Sequence, residues 1–477
     1  MKRVVFGLIA VAALVLAQGV ANAGTPIQAL EAPAAPLDDP AQPAPPVFDP
    51  GQKGPFEVGF TSFLLVDPSR PGDGSTYPNR PIPVYVWYPV DPATVSGSTP
   101  EAVYPLDPLY GVVPGSASSY WEAYGFDRAY QEPGVSASRP FPLLLFSPGW
   151  GGPAWLHASV GTRLASHGFV VAVLYHYGDQ WWGWEPPYDN VAVAAYNRPR
   201  DVSFALTDLL AKNGTPGNLL SGAIRPSQVA AGGWSLGGYA SMVLAGGDDS
   251  VCDTLYGVDV EDPPAWTCAP SPPDPRIKAI VPQDGSNWCL HFYELRRITV
   301  PAMGLGEEWS MLESWNDPPW ESWQARQHAA FSSQPAYRVD VFNTIHQSYF
   351  DICEGAQVLG DMGIFDPGTV AYFLDNLCTP YTPSTDVHRL VNKYMIAFLK
   401  TNLAREPGYH NMLTPGWALT NEQYIEFFVT EKRSPRAIRD EWPGDFVYFP
   451  HQPGSRQTHA AKDPARTFRV QRVLEQR

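Results

Sequence analysis

Residues 228–244, QVAAGGWSLGGYASMVL, decide the fold of this chain. The first five residues predict a short buried strand, and the last nine predict a helix. The turn between them reverses the chain so tightly that its neighbours must be small, and Gly233 and Gly237 meet this need in a G-x-S-x-G pattern. We expect this turn to lift the hydroxyl of Ser235 above the sheet, at the positive end of the helix dipole.

Strand and helix signals alternate on both sides of this stretch. Continuous apolar strands separated by amphipathic helices predict a parallel sheet covered on both faces, so the fold class is α/β. Before them, two runs at 56–66 and 82–88 predict antiparallel strands at the edge of the sheet. Further buried strands are predicted at 142–147, 169–175, 277–282, 299–305 and 337–342, and helices over 153–168, over 391–403 and from near Pro199 to just before Gly214.

Composition bounds the class of protein. The chain has 477 residues, of which 44% are hydrophobic and 17% charged, which is enough apolar material for a packed core. Its formal charge is -16, and it becomes -18 without Lys2 and Arg3 of the predicted leader. A surface this acidic excludes a generalised basic face for nucleic acid. The 51 prolines, about twice the usual share, predict many turns and long loops.

The N-terminus has the pattern of a targeting segment. Lys2 and Arg3 precede an apolar run over residues 4–17, and Ala-Asn-Ala at 21–23 resembles a cleavage site. The run is shorter than the roughly 20 residues that span a bilayer, although an uncleaved anchor is the alternative. We therefore expect a signal peptide over 1–23 and a secreted or periplasmic protein.

Composition also divides the rest of the chain. Residues 24–53 form a Pro/Ala-rich linker, and the α/β domain is expected over 54–405. Two Pro-rich surface insertions are expected near 248–275 and 355–386. Residues 406–477 form a C-terminal extension to which the sequence assigns no role.

The five cysteines are an odd number, so at least one remains free or pairs between chains. An exported protein can form disulfides. The close pairs Cys252/Cys268 and Cys353/Cys378 lie in loop-like stretches, and we predict that both form bridges and that Cys289 is free. Neither C-x-x-C nor His-rich spacing suggests a metal site.

A serine hydroxyl needs a base to become nucleophilic, and the base needs an acid to orient it. His346 follows the strand at 337–342 directly, so it should lie at the same sheet edge as Ser235. Other histidines, His291, His328 and His388, do not immediately follow a late strand. We predict His346 as the base.

The acid has two candidate positions. Asp284 follows the strand at 277–282 in the loop Gln-Asp-Gly-Ser-Asn, while Glu307 and Glu308 follow the next strand. A short carboxylate on a glycine-bearing turn is the better partner for an imidazole, so Asp284 is favoured. Its alternative role is to cap its own turn.

The negative charge that develops on an attacked carbonyl needs preorganised N–H donors. The backbone amide of Leu236, directly after the serine, should be one donor. The Gly-rich loop 148–152 (PGWGG) should supply the other, from Trp150. Four tryptophans are candidates for lining a substrate pocket: Trp181, Trp182, Trp184 and Trp234. The first three lie in the loop after the second buried strand, where the alternatives are that they contact a lipid surface or pack under that loop.

These motifs, in this order, resemble the platelet-activating-factor acetylhydrolase family of serine lipases and esterases, which have the α/β-hydrolase fold. The likeness covers about 54–403, and it is carried by GPFEVG at 54–59, PVYVWYP at 83–89, PLLLFSPGWGG at 142–152, LASHGFVVA at 164–172, GGWSLGG at 232–238, the Asp284 loop and IHQSYFD at 345–351. The resemblance places nucleophile, acid and base at Ser235, Asp284 and His346, and the oxyanion donors at Trp150 and Leu236.

The resemblance implies a metal-free, cofactor-free serine hydrolase that cleaves short-acyl esters of phospholipids. Pro148 and Trp234 stand where family members usually have histidine, and Gly-Trp-Ser-Leu-Gly also looks like secreted cutinase-type polyester hydrolases. A general carboxylesterase or cutinase-like enzyme is therefore the alternative, followed by an acyltransferase or a non-catalytic binding protein. A small-molecule or lipid ester, with transient contact to a lipid surface, is the expected partner, and the sequence points to no obligate protein partner.

Overall fold

A computed structural model describes residues 48–72, 76–179, 190–248, 250–251, 264–271, 273–286, 290–307 and 323–430. A ten-stranded sheet runs through this part of the chain, and a separate two-stranded sheet pairs β3 with β4. The strands are β1 (Glu57–Pro71), β2 (Asn79–Val90), β3 (Val103–Tyr104), β4 (Ser116–Ala117), β5 (Ala129–Gln131), β6 (Phe141–Ser147), β7 (Val170–Leu174), β8 (Ile224–Trp234), β9 (Ile277–Gln283), β10 (Ala302–Glu307), β11 (Ala336–Val341) and β12 (Ile425–Thr430).

Helices fill most of the connections between these strands. The α-helices are α1 (Ser118–Glu122), α2 (Ala158–Ser166), α3 (Val191–Gly214), α4 (Leu236–Leu244), α5 (Phe292–Leu295), α6 (Trp323–Ala330), α7 (Ile352–Asp361), α8 (Pro367–Phe373), α9 (Ser384–Leu399) and α10 (Pro415–Asn421). Short 3-10 turns lie at Pro92–Thr94, Ala154–His157, Ala265–Cys268, His346–Tyr349 and His410–Met412, and π-turns at Leu374–Cys378 and Lys400–Ala404.

The sheet order is β12-β11-β10-β9-β8-β6-β7-β2-β1-β5. Neighbouring strands from β11 to β7 run parallel, whereas β2 pairs with both β7 and β1 in the antiparallel sense. The expected α/β fold, with a mostly parallel sheet and antiparallel N-terminal strands, is confirmed. Since the carboxyl ends of parallel strands meet at one edge, the segments that follow β6, β8, β9 and β11 are brought together there.

The core lies on both faces of the sheet because successive side chains of each strand point to opposite sides. In β6, Leu144 and Phe146 join one apolar cluster, which also contains residues of α2 and α9. Leu143 and Leu145 join the other cluster, which contains residues of α3 and α4. Helices therefore cover both faces, as the continuous apolar strands predict.

Two helices begin earlier than the sequence predicts. α3 begins at Val191, so that Pro199 lies inside the helix instead of near its first turn, and Gly214 is its last residue. The side chain of Asn190 caps this helix by accepting from the amide of Val193. α9 begins at Ser384 and ends at Leu399, after which the chain continues as a π-turn.

The segment 355–386 differs from the surface insertion that its prolines predict. It holds most of α7, all of α8 and the start of α9. Ala356, Val358, Leu359, Phe373 and Leu377 are buried in the core cluster on the α2 face, so apolar residues at helical spacing outweigh the local proline content.

Residues beyond 405 contribute to the same sheet. β12 pairs with β11 in an antiparallel register that runs from Ala336 opposite Thr430 to Val341 opposite Ile425. The first part of the C-terminal extension is therefore folded onto the edge of the main sheet.

The disulfide between Cys353 and Cys378 is confirmed, and it links α7 to the π-turn after α8. Cys268 also takes part in a disulfide, while its predicted partner Cys252 and the predicted free Cys289 lie outside the described residues, as does the predicted leader. Among the described helices, none combines the length and apolar character needed to cross a membrane.

Candidate active site

The turn between β8 and α4 holds Ser235 in a strained backbone conformation, with φ 56° and ψ −122°. A non-glycine residue rarely adopts positive φ unless its surroundings enforce it. Here the amide of Ser235 donates to the carbonyl of Gln283 at 3.0 Å, and its carbonyl accepts from the amide of Ser286 at 3.1 Å. The backbone of the serine is thus fixed against the loop that follows β9.

The glycines of G-x-S-x-G are required by close packing. A β-carbon on Gly237 would lie 1.8 Å from the carbonyl oxygen of Ser147, and one on Gly233 would lie 2.4 Å from the same atom. The end of β6 therefore passes directly beside the turn. This steric reason agrees with the one that the sequence pattern suggested.

Asp284 and His346 are in direct contact. The Nδ1 atom of His346 hydrogen-bonds the Oδ2 atom of Asp284, and the carboxylate is fully buried. Asp284 also has positive φ, at 43°, and its amide donates to the carbonyl of Leu305. The loops after β9 and β11 thus meet at the sheet edge that carries Ser235.

His346 begins a 3-10 turn whose contacts fix its position. Its carbonyl accepts a 2.9 Å hydrogen bond from Nε1 of Trp234, and the two rings lie 4.8 Å apart. Trp234 also stacks on Phe350, with ring centroids separated by 4.1 Å. Because Trp234 directly precedes Ser235, this contact joins the histidine loop to the serine turn.

Trp234 therefore has a different position from the pocket-lining one that the sequence suggested. Only 4% of its surface is exposed, and its ring packs against Gly149, where a β-carbon would lie 2.3 Å from it. The side chain supports the site from within. The other three predicted pocket residues, Trp181, Trp182 and Trp184, lie outside the described residues.

The alternative acids and bases are placed as follows. Glu307 ends β10 and is buried, whereas Glu308 lies outside the described residues. His328 contacts the carbonyl of Ala336 at 3.3 Å, and His291 stacks on Tyr293. His388 is buried on α9, 3.7 Å from Asp351.

Tyr349 lies beneath the acid. Its burial, together with the negative charges of Asp284 and Glu307, raises the pKa of the Tyr349 phenol well above its usual value. The phenol stays neutral, and its oxygen lies 3.0 Å from the hydroxyl of Thr344. This contact ties the turn that carries His346 to the end of β11.

The predicted oxyanion donors come from two elements. Leu236 is the first residue of α4, so its amide belongs to the unsatisfied N-terminal turn of a helix. Trp150 lies in the loop after β6, and the neighbouring Gly149 approaches the serine so closely that a β-carbon there would lie 3.1 Å from Cβ of Ser235. Both segments thus border Ser235.

Polar residues that the sequence did not single out support this edge. Gln324 and Gln327 on α6 donate to Asp284 and to the carbonyl of Gly285, at 2.6 and 2.7 Å. Arg198 and Asp179 form a buried ion pair beneath the loop 148–152. Their sequence neighbourhoods form no motif, and Arg198 immediately before a helical proline was the only available signal.

Within the described ranges, no group of three or more His, Cys, Asp or Glu side chains could hold a metal ion.

Comparison with known proteins agrees with the fold and the motifs. Residues 128–180 match the model of the family described as platelet-activating factor acetylhydrolase, isoform II, so the expected resemblance is confirmed over that segment. A solved structure titled ferulic acid esterase from Streptomyces cinnamoneus is similar with a TM-score of 0.51 and 19% identity, over 75% of this chain and 93% of that chain. This likeness shows the α/β-hydrolase fold. No curated protein matches this chain.

Proposed function

We propose that this chain is a serine hydrolase that cleaves carboxylic esters through an acyl-enzyme, with Ser235 as nucleophile, His346 as general base and Asp284 as the acid that orients it. The hydrogen bond between His346 and Asp284 carries the proposal, because it lies at the sheet edge where the backbone of Ser235 is held at positive φ. The partial family match is consistent with it.

The first step would be attack of the Ser235 hydroxyl on the ester carbonyl. His346 accepts the serine proton as the new C–O bond forms, and Asp284 stabilises the imidazolium. The amides of Leu236 and Trp150 would hold the oxyanion. The alcohol then leaves with the proton from His346, and the acyl group remains on Ser235.

The second step would release the acid. Water attacks the acyl-enzyme, His346 takes a proton from it, and the same proton returns to Ser235 as the carboxylic acid departs. An acceptor alcohol in place of water would give transfer instead of hydrolysis. Product analysis with added alcohols separates these outcomes.

The substrate we propose is a phospholipid with a short acyl chain, and a general or polyester-type ester is the second candidate. The family match at 128–180 favours the first, since this segment contains the loop 148–152. The predicted leader and the disulfide between Cys353 and Cys378 support action outside the cytoplasm. Turnover of p-nitrophenyl esters of rising acyl length, an sn-2-acetyl phospholipid and methyl ferulate would rank these classes.

Ser235→Ala is the direct test of the nucleophile. We expect p-nitrophenyl acetate turnover to fall by about four orders of magnitude or more, and a fluorophosphonate probe to label the native protein but not the variant. Ser241→Ala is the matched control, since its hydroxyl bonds the carbonyl of Gly238 within the same helix at 2.7 Å. Undiminished turnover in the Ser235 variant would refute the assignment.

A further inference from the structure

Arg198 is completely buried beneath the loop 148–152. It lies on α3, and its guanidinium donates to three groups at the end of β6 and in this loop. Nη1 contacts the hydroxyl of Ser147 at 3.2 Å and the carbonyl of Pro148, and Nη2 donates to the carbonyl of Gly149 at 2.8 Å. The planar fork of arginine makes such simultaneous contacts possible, whereas a lysine has a single point of charge.

Asp179 completes this arrangement. Its Oδ2 atom accepts from Nε of Arg198 at 2.6 Å, and its Oδ1 atom accepts from the amide of Gly151 at 2.8 Å. A buried guanidinium without a partner would be strongly unfavourable, so the carboxylate is needed to keep it there. The pair thus holds the chain on both sides of Trp150, by the carbonyl before it and the amide after it.

The contact at Gly149 also fixes the direction of the next amide. In a trans peptide the C=O of one residue and the N–H of the next lie in one plane and point in opposite directions. Because the carbonyl of Gly149 faces Arg198, the N–H of Trp150 must point away from it. Gly149 itself lies against Ser235, since a β-carbon added to Gly149 would lie 3.1 Å from Cβ of Ser235.

We infer that Arg198 is a positioning residue of the ester hydrolase, which together with Asp179 sets the Gly149–Trp150 peptide so that its N–H faces the oxyanion. This inference rests on the proposed function. Arg198 acts through the backbone of the loop, since its guanidinium donates to the carbonyls of Pro148 and Gly149.

A second buried chain of hydrogen bonds supports the guanidinium. The hydroxyl of Ser147 lies 2.8 Å from Nε2 of His176, whose Nδ1 lies 2.9 Å from Asp201. Burial and the charge of Arg198 lower the pKa of His176 to about 4, so the imidazole is neutral at pH 7. A neutral imidazole that donates to Asp201 accepts from Ser147, which leaves a lone pair of the hydroxyl for Arg198.

This Ser147–His176–Asp201 chain has the residue types of a catalytic triad but the position of a support. Ser147 and His176 are buried, and Ser147 ends β6 under the turn of Ser235. Asp201 is also paired with Arg80, at 2.8 Å. The chain therefore anchors the end of β6, from which the loop 148–152 begins.

The test measures turnover and the affinity of a transition-state analogue in the full chain. A trifluoromethyl ketone forms a tetrahedral adduct with the serine, and its oxyanion occupies the same position as in the reaction. In Arg198→Lys we expect kcat/KM for p-nitrophenyl acetate to fall about 10- to 100-fold, somewhat less than the loss of an oxyanion donor. The inhibition constant of the ketone should rise by a similar factor.

Arg163→Lys is the matched control. Arg163 makes the same kind of contacts away from the site, with Asp127 at 2.7 Å and the carbonyl of Gly51 at 2.7 Å. We expect its active-site-titrated kcat/KM and its inhibition constant to stay within about twofold of the native values.

Active-site titration with a fluorophosphonate separates positioning from simple loss of folded protein. If Arg198→Lys loses turnover only in proportion to its titrated sites, with an unchanged inhibition constant, the inference is overturned. If Arg198→Lys does not fold, Asp179→Asn, which keeps the shape of the carboxylate, takes its place. Its kcat/KM must then fall and the inhibition constant of the ketone must rise. An unchanged inhibition constant in Asp179→Asn would also overturn the inference. A native protein without turnover or labelling would instead contradict the proposed function.

Discussion

Gln324 donates a 2.6 Å hydrogen bond to Oδ1 of Asp284, the carboxylate oxygen that does not bond His346. The carboxylate is therefore held on both sides, by the imidazole and by a side chain of α6. A β-carbon on Gly306 would lie 1.8 Å from Nε2 of Gln324 and 2.8 Å from Oδ1 of Asp284. The glycine at this point of β10 makes room for the contact.

Gln324→Leu removes this donor without changing the charge of the site. We expect kcat for p-nitrophenyl acetate to fall about tenfold, because a hydrogen bond to a charged group contributes roughly 1.5–3 kcal/mol and part of it orients the acid. Steady-state kinetics on titrated enzyme would measure it. Gln357→Leu is the control, since that side-chain amide donates within its own helix, to the carbonyl of Cys353 at 3.2 Å. Equal kcat in the two variants would contradict a role for Gln324.

Trp234→Phe tests the link between the serine turn and the histidine loop. Phenylalanine keeps a ring between Phe350 and His346 but cannot donate to the carbonyl of His346. The lost hydrogen bond contributes about 1 kcal/mol, so we expect kcat to fall about threefold to tenfold.

The matched control for this change is Trp121→Phe. The indole of Trp121 donates to the hydroxyl of Ser116 at 2.7 Å, and both residues are far in sequence from the loops of Ser235, Asp284 and His346. Trp121→Phe should lower the midpoint of thermal unfolding about as much as Trp234→Phe does, because each variant loses one indole hydrogen bond, but it should leave kcat unchanged. A kcat loss of equal size in both variants would show that only stability had changed.

The parts of the site that sequence predicts are those fixed by local chemistry. The strand, turn and helix around Ser235 follow from one short stretch, and α4 has the bounds that its apolar residues predict. Asp284 and His346 could be proposed because each follows a strand of a parallel sheet, which places both at one edge.

Arg198, Asp179 and Gln324 could not be found in this way. Each hydrogen-bonds a residue that is distant in sequence: Arg198 bonds Gly149, Asp179 bonds Gly151 and Gln324 bonds Asp284. A helix surface rich in polar residues gives no sign of which one will be buried. The early start of α3 has the same origin, because packing against the sheet outweighs the proline that predicted a helix start.

Gly237→Ala should prevent formation of the serine turn. Its β-carbon would lie 1.8 Å from a backbone oxygen of β6, and backbone cannot move aside as a flexible side chain can. We expect little folded protein and no fluorophosphonate labelling. Gly134→Ala is the control, since no atom of the described residues lies within 4 Å of its β-carbon position, and it should leave expression and labelling unchanged. A folded, labelled Gly237 variant would contradict this packing argument.

His157 makes the stability of the protein depend on acid. Its ring is completely buried near Phe146, Trp234 and Phe350, at 5.0, 6.2 and 6.2 Å between centroids. Burial lowers the pKa of His157 to about 3, and electrostatic interactions with His388 and Arg198 act in the same direction. In the unfolded chain the same imidazole titrates near its ordinary pKa of about 6.5.

The sign follows from proton uptake. Below pH 6.5 the unfolded chain binds a proton at His157 that the folded chain does not bind until about pH 3. The contribution of this group is therefore complete above pH 6.5 and is lost as the pH falls toward 3, at about 1.4 kcal/mol per pH unit. His157→Phe removes it, so the free energy of unfolding should decline less steeply between about pH 6 and pH 4 by that amount.

Urea unfolding of the native protein and the variant across this pH range measures the difference in slope. Trp155→Phe is the control, because it changes an aromatic side chain next to the same core without removing an imidazole, and its curve should lie parallel to the native one. Two parallel curves for the native protein and His157→Phe would contradict the prediction, since they would mean that His157 binds its proton equally in the folded and unfolded chain.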